Sequence, residues 1–114
     1  MLPKINRLKK KKDIERVFKS GRGLKEDFLI LKAAKNGFKN SRFAFIVSSK
    51  VSKKATLRNK IRRRLSKLIG FKIEKIKKGI DFVLIAVPGL EEKDFWEIDE
   101  TINKLFKKTK CFKG

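Results

Sequence analysis

One stretch near the middle of the chain combines a helical pattern of apolar residues with a run of bases. Between residues 50 and 69, apolar side chains recur at spacings of four, four, three and one, at Leu57, Ile61, Leu65, Leu68 and Ile69. This spacing is typical of a helix that buries one side against a core. The other positions are mostly Lys and Arg. We therefore predict a helix with one buried wall and a cationic surface elsewhere.

Three segments are predicted to be β-strands because each is a nearly continuous apolar run bounded by turn residues. They are residues 28–34, 42–48 and 81–87. The first two are close in sequence, so we predict that they form a hairpin connected by residues 35–41. The third is the most apolar of the three, which favours a central position in the sheet. A short edge strand is expected at residues 22–24.

Helices are expected before and after these strands. Asp13 is a candidate N-cap for a short first helix, which Gly21 and Gly23 would end. Gly70 is expected to end the central helix, with residues 71–78 adding a ragged turn. Residues 93–108 form an amphipathic pattern with acids early and bases late, as the helix dipole favours. The predicted order is α-β-β-β-α-β-α, an α+β fold with helices packed on a small mixed sheet.

Composition narrows the class of partner. With 114 residues the chain is predicted to form a single domain, residues 1–114. Ten Phe, one Trp and many aliphatic residues argue for a folded core rather than a disordered tail. Lys and Arg number 33 against 12 acids, a formal net charge of +21. Such a field attracts nucleic acid first and an anionic membrane second.

The central helix carries like charges at neighbouring positions. Bases face each other one turn apart, and no acid occurs between Asp27 and Glu74. Each such pair destabilises an isolated helix by about 0.2 to 0.5 kcal/mol. A helix that accepts this repulsion along its length indicates a polyanion that supplies the missing negative charge. The facing pairs are Arg58 with Arg62, Lys60 with Arg64, and Arg63 with Lys67.

The residues that usually carry out catalysis are scarce. The chain has no His, no phosphate-binding glycine loop and no cluster with metal-ligand spacing. Asp94, Glu97 and Glu100 are interpreted as a solvated helix face, and Cys111 as an incidental thiol that suits a reducing cytoplasm. Neither a signal sequence nor a membrane-spanning run is apparent. These features predict a cytoplasmic, unprocessed binding protein without an active site of its own.

Two features allow alternative interpretations. The lysine run of residues 9–12, in the basic arm of about residues 1–12, is either a solvated, frayed segment or an arm that contacts a nucleic-acid backbone. Phe18, together with Ile14 and Val17 on the first helix, is favoured by pattern alone as a core anchor. The alternative is that Phe18 provides a stacking platform for a base.

Four blocks of sequence, in order, resemble the protein subunit of bacterial ribonuclease P. They start at Leu2 (Leu-Pro-Lys-Ile-Asn-Arg), Asp13 (Asp-Ile-Glu-Arg-Val-Phe), Val47 (Val-Ser-Ser-Lys-Val-Ser) and Asp81 (Asp-Phe-Val-Leu-Ile-Ala). The resemblance covers essentially the whole chain. Its most specific part is the family signature Ala-x-x-Arg-Asn-Arg-x-Lys-Arg, which is matched here by Ala55, Arg58, Asn59, Lys60, Arg62 and Arg63.

The resemblance implies a ribonucleoprotein that removes the 5′ leader from precursor tRNA. In this family the catalytic RNA subunit performs the hydrolysis with Mg²⁺ held mainly by the RNA, and the protein is its cofactor. It also implies a left-handed β-α-β crossover, a departure from the usual right-handed rule. No membrane and no obligate protein partner are expected.

The resemblance also assigns site residues by matching position. The signature helix contacts the RNA subunit through Arg58, Asn59, Lys60, Arg62, Arg63 and Lys67. A cleft for the single-stranded leader contains Ile14, Phe18, Ser48, Lys50 and Lys53. The basic arm supports these contacts through Lys4, Arg7, Lys9 and Lys10.

Four departures from the family pattern affect these contacts. Ile14 stands where a second cleft Phe is usual, which leaves apolar packing in place of one stacking platform. Ser49 replaces a Lys, and Ser66 with Lys67 replaces Arg-Glu. Lys60 replaces an Arg and keeps the charge without the planar fork that binds phosphate in a bidentate manner.

Three other classes of function are alternatives. A small ribosomal or RNA-packaging protein would also explain the charge and the missing catalytic residues. A membrane-surface protein would need free apolar residues on its basic helix, whereas Leu57, Ile61 and Leu65 are committed to the predicted core. A protein nuclease would need ligands and bases that the sequence lacks.

Overall fold

The computed structural model describes residues 2–113, which form three α-helices and a four-stranded sheet. In chain order these elements are α1 (Lys11–Ser20), β1 (Arg22–Glu26), β2 (Leu29–Lys35), β3 (Arg42–Val47), α2 (Ala55–Lys72), β4 (Ile80–Ala86) and α3 (Phe95–Lys108). Short 3-10 turns occur at Lys4–Asn6, Ile73–Lys75 and Leu90–Glu92. The predicted α+β class is confirmed.

The sheet has the order β1-β2-β4-β3, with β4 in the interior as predicted. β4 runs antiparallel to β2 and parallel to β3. The predicted hairpin between residues 28–34 and 42–48 is therefore wrong, because β4 lies between those two strands. The hairpin in the structure joins β1 to β2 through Asp27 and Phe28. Asp27 occupies a left-handed conformation there, with φ 52°, which a tight turn requires.

The two faces of the sheet carry different helices. Phe43, Phe82 and Leu31 lie in the main core, which α2 and α3 complete through residues such as Leu65 and Phe106. The side chains that alternate with them point to the other face, as the period of a strand requires. There α1 packs with Val17 against a second, smaller cluster. The handedness of the crossover from β3 through α2 to β4 stays a prediction.

Three expected element ends are wrong. Asp13 is not the N-cap of α1, because the helix begins one turn earlier with Lys10 as its cap. Gly23 lies within β1, so that Gly21 alone follows the end of α1. The central helix continues through Gly70 to Lys72, because Leu68, Ile69 and Lys72 are buried around the glycine. Burial there offsets the roughly 1 kcal/mol cost of glycine in a helix.

The N-terminal segment is docked rather than frayed. Leu2 and Leu8 are buried, and Arg7 forms a parallel bridge with Phe43 at the edge of the sheet. Asn6 is also buried and donates from Nδ2 to the carbonyl of Ser41 at 2.9 Å. The lysines of the run that follows, residues 9–12, are exposed, and their contact with a nucleic-acid backbone stays a prediction.

A buried carboxylate connects four parts of the fold. The side chain of Asp81 is 0% exposed and accepts hydrogen bonds from α1, from the β2–β3 connection and from β3. Arg42 binds it through Nε at 2.8 Å and Nη2 at 2.7 Å, which raises the pKa of the guanidinium despite the opposing effect of burial. Arg16 donates from Nη2 at 2.6 Å and Asn36 from Nδ2 at 2.8 Å. All these contacts satisfy the buried charge.

The substitution Asp81→Asn is expected to lower the free energy of unfolding by about 3 kcal/mol, because it leaves Arg16 without its anion and Arg42 with only the longer contact to Asp13. This is the low end of the usual range since both arginines keep some solvent contact. Urea unfolding followed by circular dichroism measures the change. Glu100→Gln is the matched control, since Glu100 is exposed and its removal is expected to change stability by less than about 0.5 kcal/mol. Equal midpoints for the two variants would contradict the prediction.

Candidate nucleic-acid interface

The helix α2 divides into an apolar wall and an exposed basic face, as its sequence predicts. Ile61, Leu65, Leu68 and Ile69 are buried, and Leu57 is partly buried against the same core. The opposite face presents side chains that are all exposed to solvent. These are Asn59, Lys60, Arg63 and Lys67.

The basic face of α2 has no neutralising partner within the part of the chain that the structure describes. Among residues 2–113, no carboxylate forms a salt bridge with any Lys or Arg between Arg58 and Lys67. The ion pair that α2 does form lies in its last turn, between Lys72 and Asp99. The cationic face is therefore available to an external anion.

Asn59 and Arg62 belong to one hydrogen-bonded unit. Arg62 donates from Nη1 to Oδ1 of Asn59 at 2.6 Å and from Nη2 to the carbonyl of Val47 at 3.2 Å. These contacts connect α2 to the end of β3 and fix the plane of the guanidinium. A guanidinium has five donors, so several remain free to meet a ligand. The sequence signature places the two residues together, but the orienting role of Asn59 emerges only from the fold.

The loop between β3 and α2 is ordered by short-range hydrogen bonds. Arg58 donates from Nη1 to the carbonyl of Ser52 at 2.9 Å. Ser48 accepts at Oγ from the backbone amide of Lys50 at 3.3 Å. Ser48, Lys50 and Lys53 are all exposed along this loop. The loop thus presents Lys50 and Lys53, two of the predicted leader-site cations, beside the end of β3. One role of Arg58 is to hold this loop in place.

The helix α1 covers only part of the sheet face on which it packs. Strand register aligns Ile30 with Ile85 and Ile85 with Ile46, in one row across β2, β4 and β3. All three side chains are only partly buried. The row lies toward the end of β3 from which the Ser48–Lys53 loop emerges. We call Ile30, Ile46 and Ile85 the apolar floor.

Phe18 stands beside this face rather than in the core. Its side chain is 40% exposed, whereas the neighbouring Val17 is fully buried. The ammonium nitrogen of Lys32, on β2, lies 5.5 Å from the centre of the Phe18 ring. The interpretation of Phe18 as a core anchor is therefore wrong, and Val17 fills that position. An exposed ring with a cation beside it can stack on a base whose phosphate meets the cation.

A groove of about 320 Å³ connects the first helix with α2. Its lining includes Ile14 of α1, Ile46 of β3, and Arg62 and Arg63 of α2. Two residues of the N-terminal arm, Arg7 and Lys9, also border the groove. Arg7 is fixed by donating from Nε to the carbonyl of Leu2 at 2.6 Å.

The structure thus brings some of the predicted site residues together and leaves others apart. Ile14, Arg7, Lys9, Arg62 and Arg63 share one groove. The remaining predicted residues lie outside its lining: Arg58, Asn59, Lys60 and Lys67 of α2, the loop residues Ser48, Lys50 and Lys53, and Phe18, Lys4 and Lys10.

Sequence reasoning missed Lys32 and the apolar floor. The predicted strands did indicate which residues share a face, because alternate residues of a strand face opposite sides of the sheet. The identity of the uncovered residues, however, depends on the register of β4 with β2 and β3. The hairpin prediction paired the wrong strands, so this row could not be assembled from sequence.

Residues 2–113 offer neither a metal site nor a membrane-spanning helix. His, Cys, Asp and Glu do not gather there in any group of three or more that could hold a metal ion. No helix of that region is long and apolar enough to cross a membrane. Asp94 and Glu97 form a capping box at the start of α3, which agrees with their interpretation as helix-stabilising acids.

Comparisons with known proteins identify the family of the chain. A family model described as Ribonuclease P matches residues 2–110. The "Ribonuclease P protein component" of Clostridioides difficile is 38% identical over 103 residues, covering 90% of each chain. That of Caldanaerobacter subterraneus is 30% identical over 112 residues, covering 98% of this chain and 96% of its own.

Solved structures lead to the same family. The ribonuclease P protein of Thermotoga maritima is 33% identical with a TM-score of 0.81, covering 90% of this chain and 96% of its own. A mutant of the Staphylococcus aureus protein is 25% identical with a TM-score of 0.88, covering 96% of this chain and 92% of its own. These findings favour a subunit of the tRNA-processing enzyme over the ribosomal alternative. The chain belongs to the ribonuclease P protein family, the protein component of the enzyme that matures the 5′ end of tRNA.

Proposed function

We propose that the exposed face of α2 binds ribonuclease P RNA and that the uncovered sheet face receives the 5′ leader of precursor tRNA. The observation that supports this most directly is the row of solvent-facing bases on α2, for which residues 2–113 provide no carboxylate. An RNA backbone supplies that negative charge. We place this complex in the cytoplasm.

On α2 the residues have different roles. Lys60, Arg63 and Lys67 are exposed and meet phosphates of the RNA as mobile charges. Arg62 is fixed by Asn59 and by the end of β3, so it offers a preoriented fork for a phosphate. Lys60 binds as a point charge because it lacks the planar fork of arginine.

On the other side of the protein, the leader lies across the apolar floor. Phe18 stacks on one unpaired base, which contributes about 1 to 3 kcal/mol. Lys32 and the loop residues Lys50 and Lys53 meet the phosphates that flank that base. Ile14 packs against the leader without stacking. The groove lined by Ile14, Arg62 and Arg63 joins the leader site to the RNA-binding helix.

We assign bond cleavage to the RNA subunit and to the Mg²⁺ that it holds. The chain has no His, and its most deeply buried carboxylate, Asp81, is fully engaged by Arg16, Arg42 and Asn36. The carboxylates of residues 2–113 do not cluster as a metal site would require. The protein contributes binding, orientation of the leader and charge neutralisation. Reconstitution with ribonuclease P RNA and precursor tRNA, with and without this chain, tests the whole proposal.

Arg63→Ala is expected to weaken binding to ribonuclease P RNA, because one phosphate contact is lost. The slope of log K against log salt should become less negative by about 0.7 to 0.9. Filter binding across a salt series measures this slope. The matched control is Arg22→Ala, which removes an equally exposed arginine from β1, at the opposite edge of the sheet from α2. Equal changes in the two variants would show that only net charge matters.

A double-mutant cycle tests the unit formed by Asn59 and Arg62. If Asn59 acts by orienting Arg62, then Asn59→Ala weakens RNA binding in the native chain and has no further effect in the Arg62→Ala background. A coupling energy of about 1 kcal/mol is expected. Urea unfolding of each variant checks that the fold is retained. Additive losses would mean that Asn59 contacts the RNA by itself.

Phe18→Ala is expected to weaken binding of leader-bearing precursor tRNA to the holoenzyme by about 1 to 3 kcal/mol, because a stacking platform is lost. Binding of mature tRNA, which has no leader, should not change. Phe38→Ala is the matched control, since Phe38 is 62% exposed and lies in the β2–β3 connection. An equal loss for both RNAs would reject the stacking role.

A further inference from the structure

A second groove, of about 710 Å³, lies at the C-terminal end of α2 and is bordered by α3 and the last residues of the chain. It is lined by two large aromatic side chains that are mostly exposed: Phe71 at 68% and Trp96 at 72%. Neither belongs to a core cluster. We call this feature the aromatic groove. It lies outside the groove that borders α1 and is not used by the proposed leader site.

The aromatic groove has a preorganised wall. The indole of Trp96 packs edge-on against Phe95, with ring centres 5.3 Å apart and planes at 88°. Phe95 is itself partly buried against the main core. Phe112 lines the groove and stacks on the buried Phe106 at 5.4 Å. Trp96 is therefore backed by a ring fixed against the core, so little conformational entropy is lost when a flat ligand stacks on it.

The charges around the aromatic groove are predominantly positive. Lys72 and Asp99 line it but neutralise each other as an ion pair. The remaining charged side chains of the lining are one acid and three bases: Glu74, Lys75, Lys107 and Lys113. The other acids of α3 do not line the groove, and of these Glu97 is engaged in the capping box. Flat aromatic faces beside lysines are the surface that single-stranded nucleic acid requires.

We infer that the aromatic groove binds an unpaired segment of RNA, with bases stacked on Phe71 and Trp96 and phosphates near the three lysines. The surface is continuous with the basic face of α2, because Phe71 follows the exposed Lys67 by one helical turn. A second copy of this chain is disfavoured as the occupant, since two molecules of formal charge +21 repel each other. The site rests on the proposed function in one respect, namely that the partner is RNA.

The test uses Trp96, the one tryptophan of the chain, as a local reporter. The full-length protein is titrated with a short, end-labelled oligoadenylate at physiological salt. Binding is followed by anisotropy of the label and by quenching of Trp96 emission. Stacking should quench the emission in a saturable manner. Phe71→Ala should weaken the affinity reported by Trp96 roughly 5- to 100-fold. Phe38→Ala, which removes an exposed ring that does not line the groove, should leave it unchanged.

Several results would overturn the inference. Anisotropy that shows binding while Trp96 emission stays constant would place the oligonucleotide elsewhere and leave the proposed function intact. The same conclusion holds if the oligonucleotide fails to bind but the holoenzyme still assembles with ribonuclease P RNA. Equal quenching by inorganic polyphosphate, which has no bases, would reduce the groove to a charged surface. If sedimentation shows a dimer and Phe71→Ala abolishes that dimer, the aromatic groove is instead a contact between two copies of the chain.

Discussion

The carboxylate of Asp81 determines how α1 sits on the sheet. It receives hydrogen bonds from Arg16 on α1, Asn36 in the β2–β3 connection and Arg42 on β3, while being itself part of the central strand. The helix is thereby held at one end of its sheet face, above the row that contains Asp81. Along β4, the same face carries Asp81, then Val83, then Ile85. The row formed by Ile30, Ile46 and Ile85 is therefore the one beyond Val83, away from Asp81, and it stays partly open. The position of the proposed leader site thus follows from one buried ion network.

The helix α2 shows how the fold tolerates a repulsive surface. Each like-charged pair one turn apart costs about 0.2 to 0.5 kcal/mol. Each fully buried Leu or Ile side chain on the opposite wall contributes about 1.5 to 3 kcal/mol. Leu65 and Ile69 are completely buried, so the wall outweighs the repulsion and keeps the basic face in place without a bound anion. The backbone that carries the face is therefore preformed, which reduces the entropy that the proposed RNA binding would cost.

Much of the fold could be predicted from the sequence because its signals are local. The apolar stripe of α2, the apolar run of β4 and the acid-to-base gradient of α3 each identify an element without reference to the rest of the chain. Strand pairing could not be predicted in this way, since β2 and β3 are close in sequence yet both pair with β4. The helix through Gly70 was missed because tertiary burial of Leu68 and Ile69 decides its length. Phe18 was misplaced because adjacent apolar residues on α1 do not reveal which one the sheet covers.

The position of β4 has a consequence for how the protein is made. Residues 80–86 supply the interior strand, so β2 and β3 have no partner between them until that segment has left the ribosome. Synthesis at 5 to 20 residues per second therefore leaves a long basic nascent chain without its sheet for roughly several seconds. During that time the polypeptide emerges beside ribosomal RNA, a large polyanion. Rapid formation of the sheet once β4 has emerged would limit non-specific binding of the nascent chain to the ribosome.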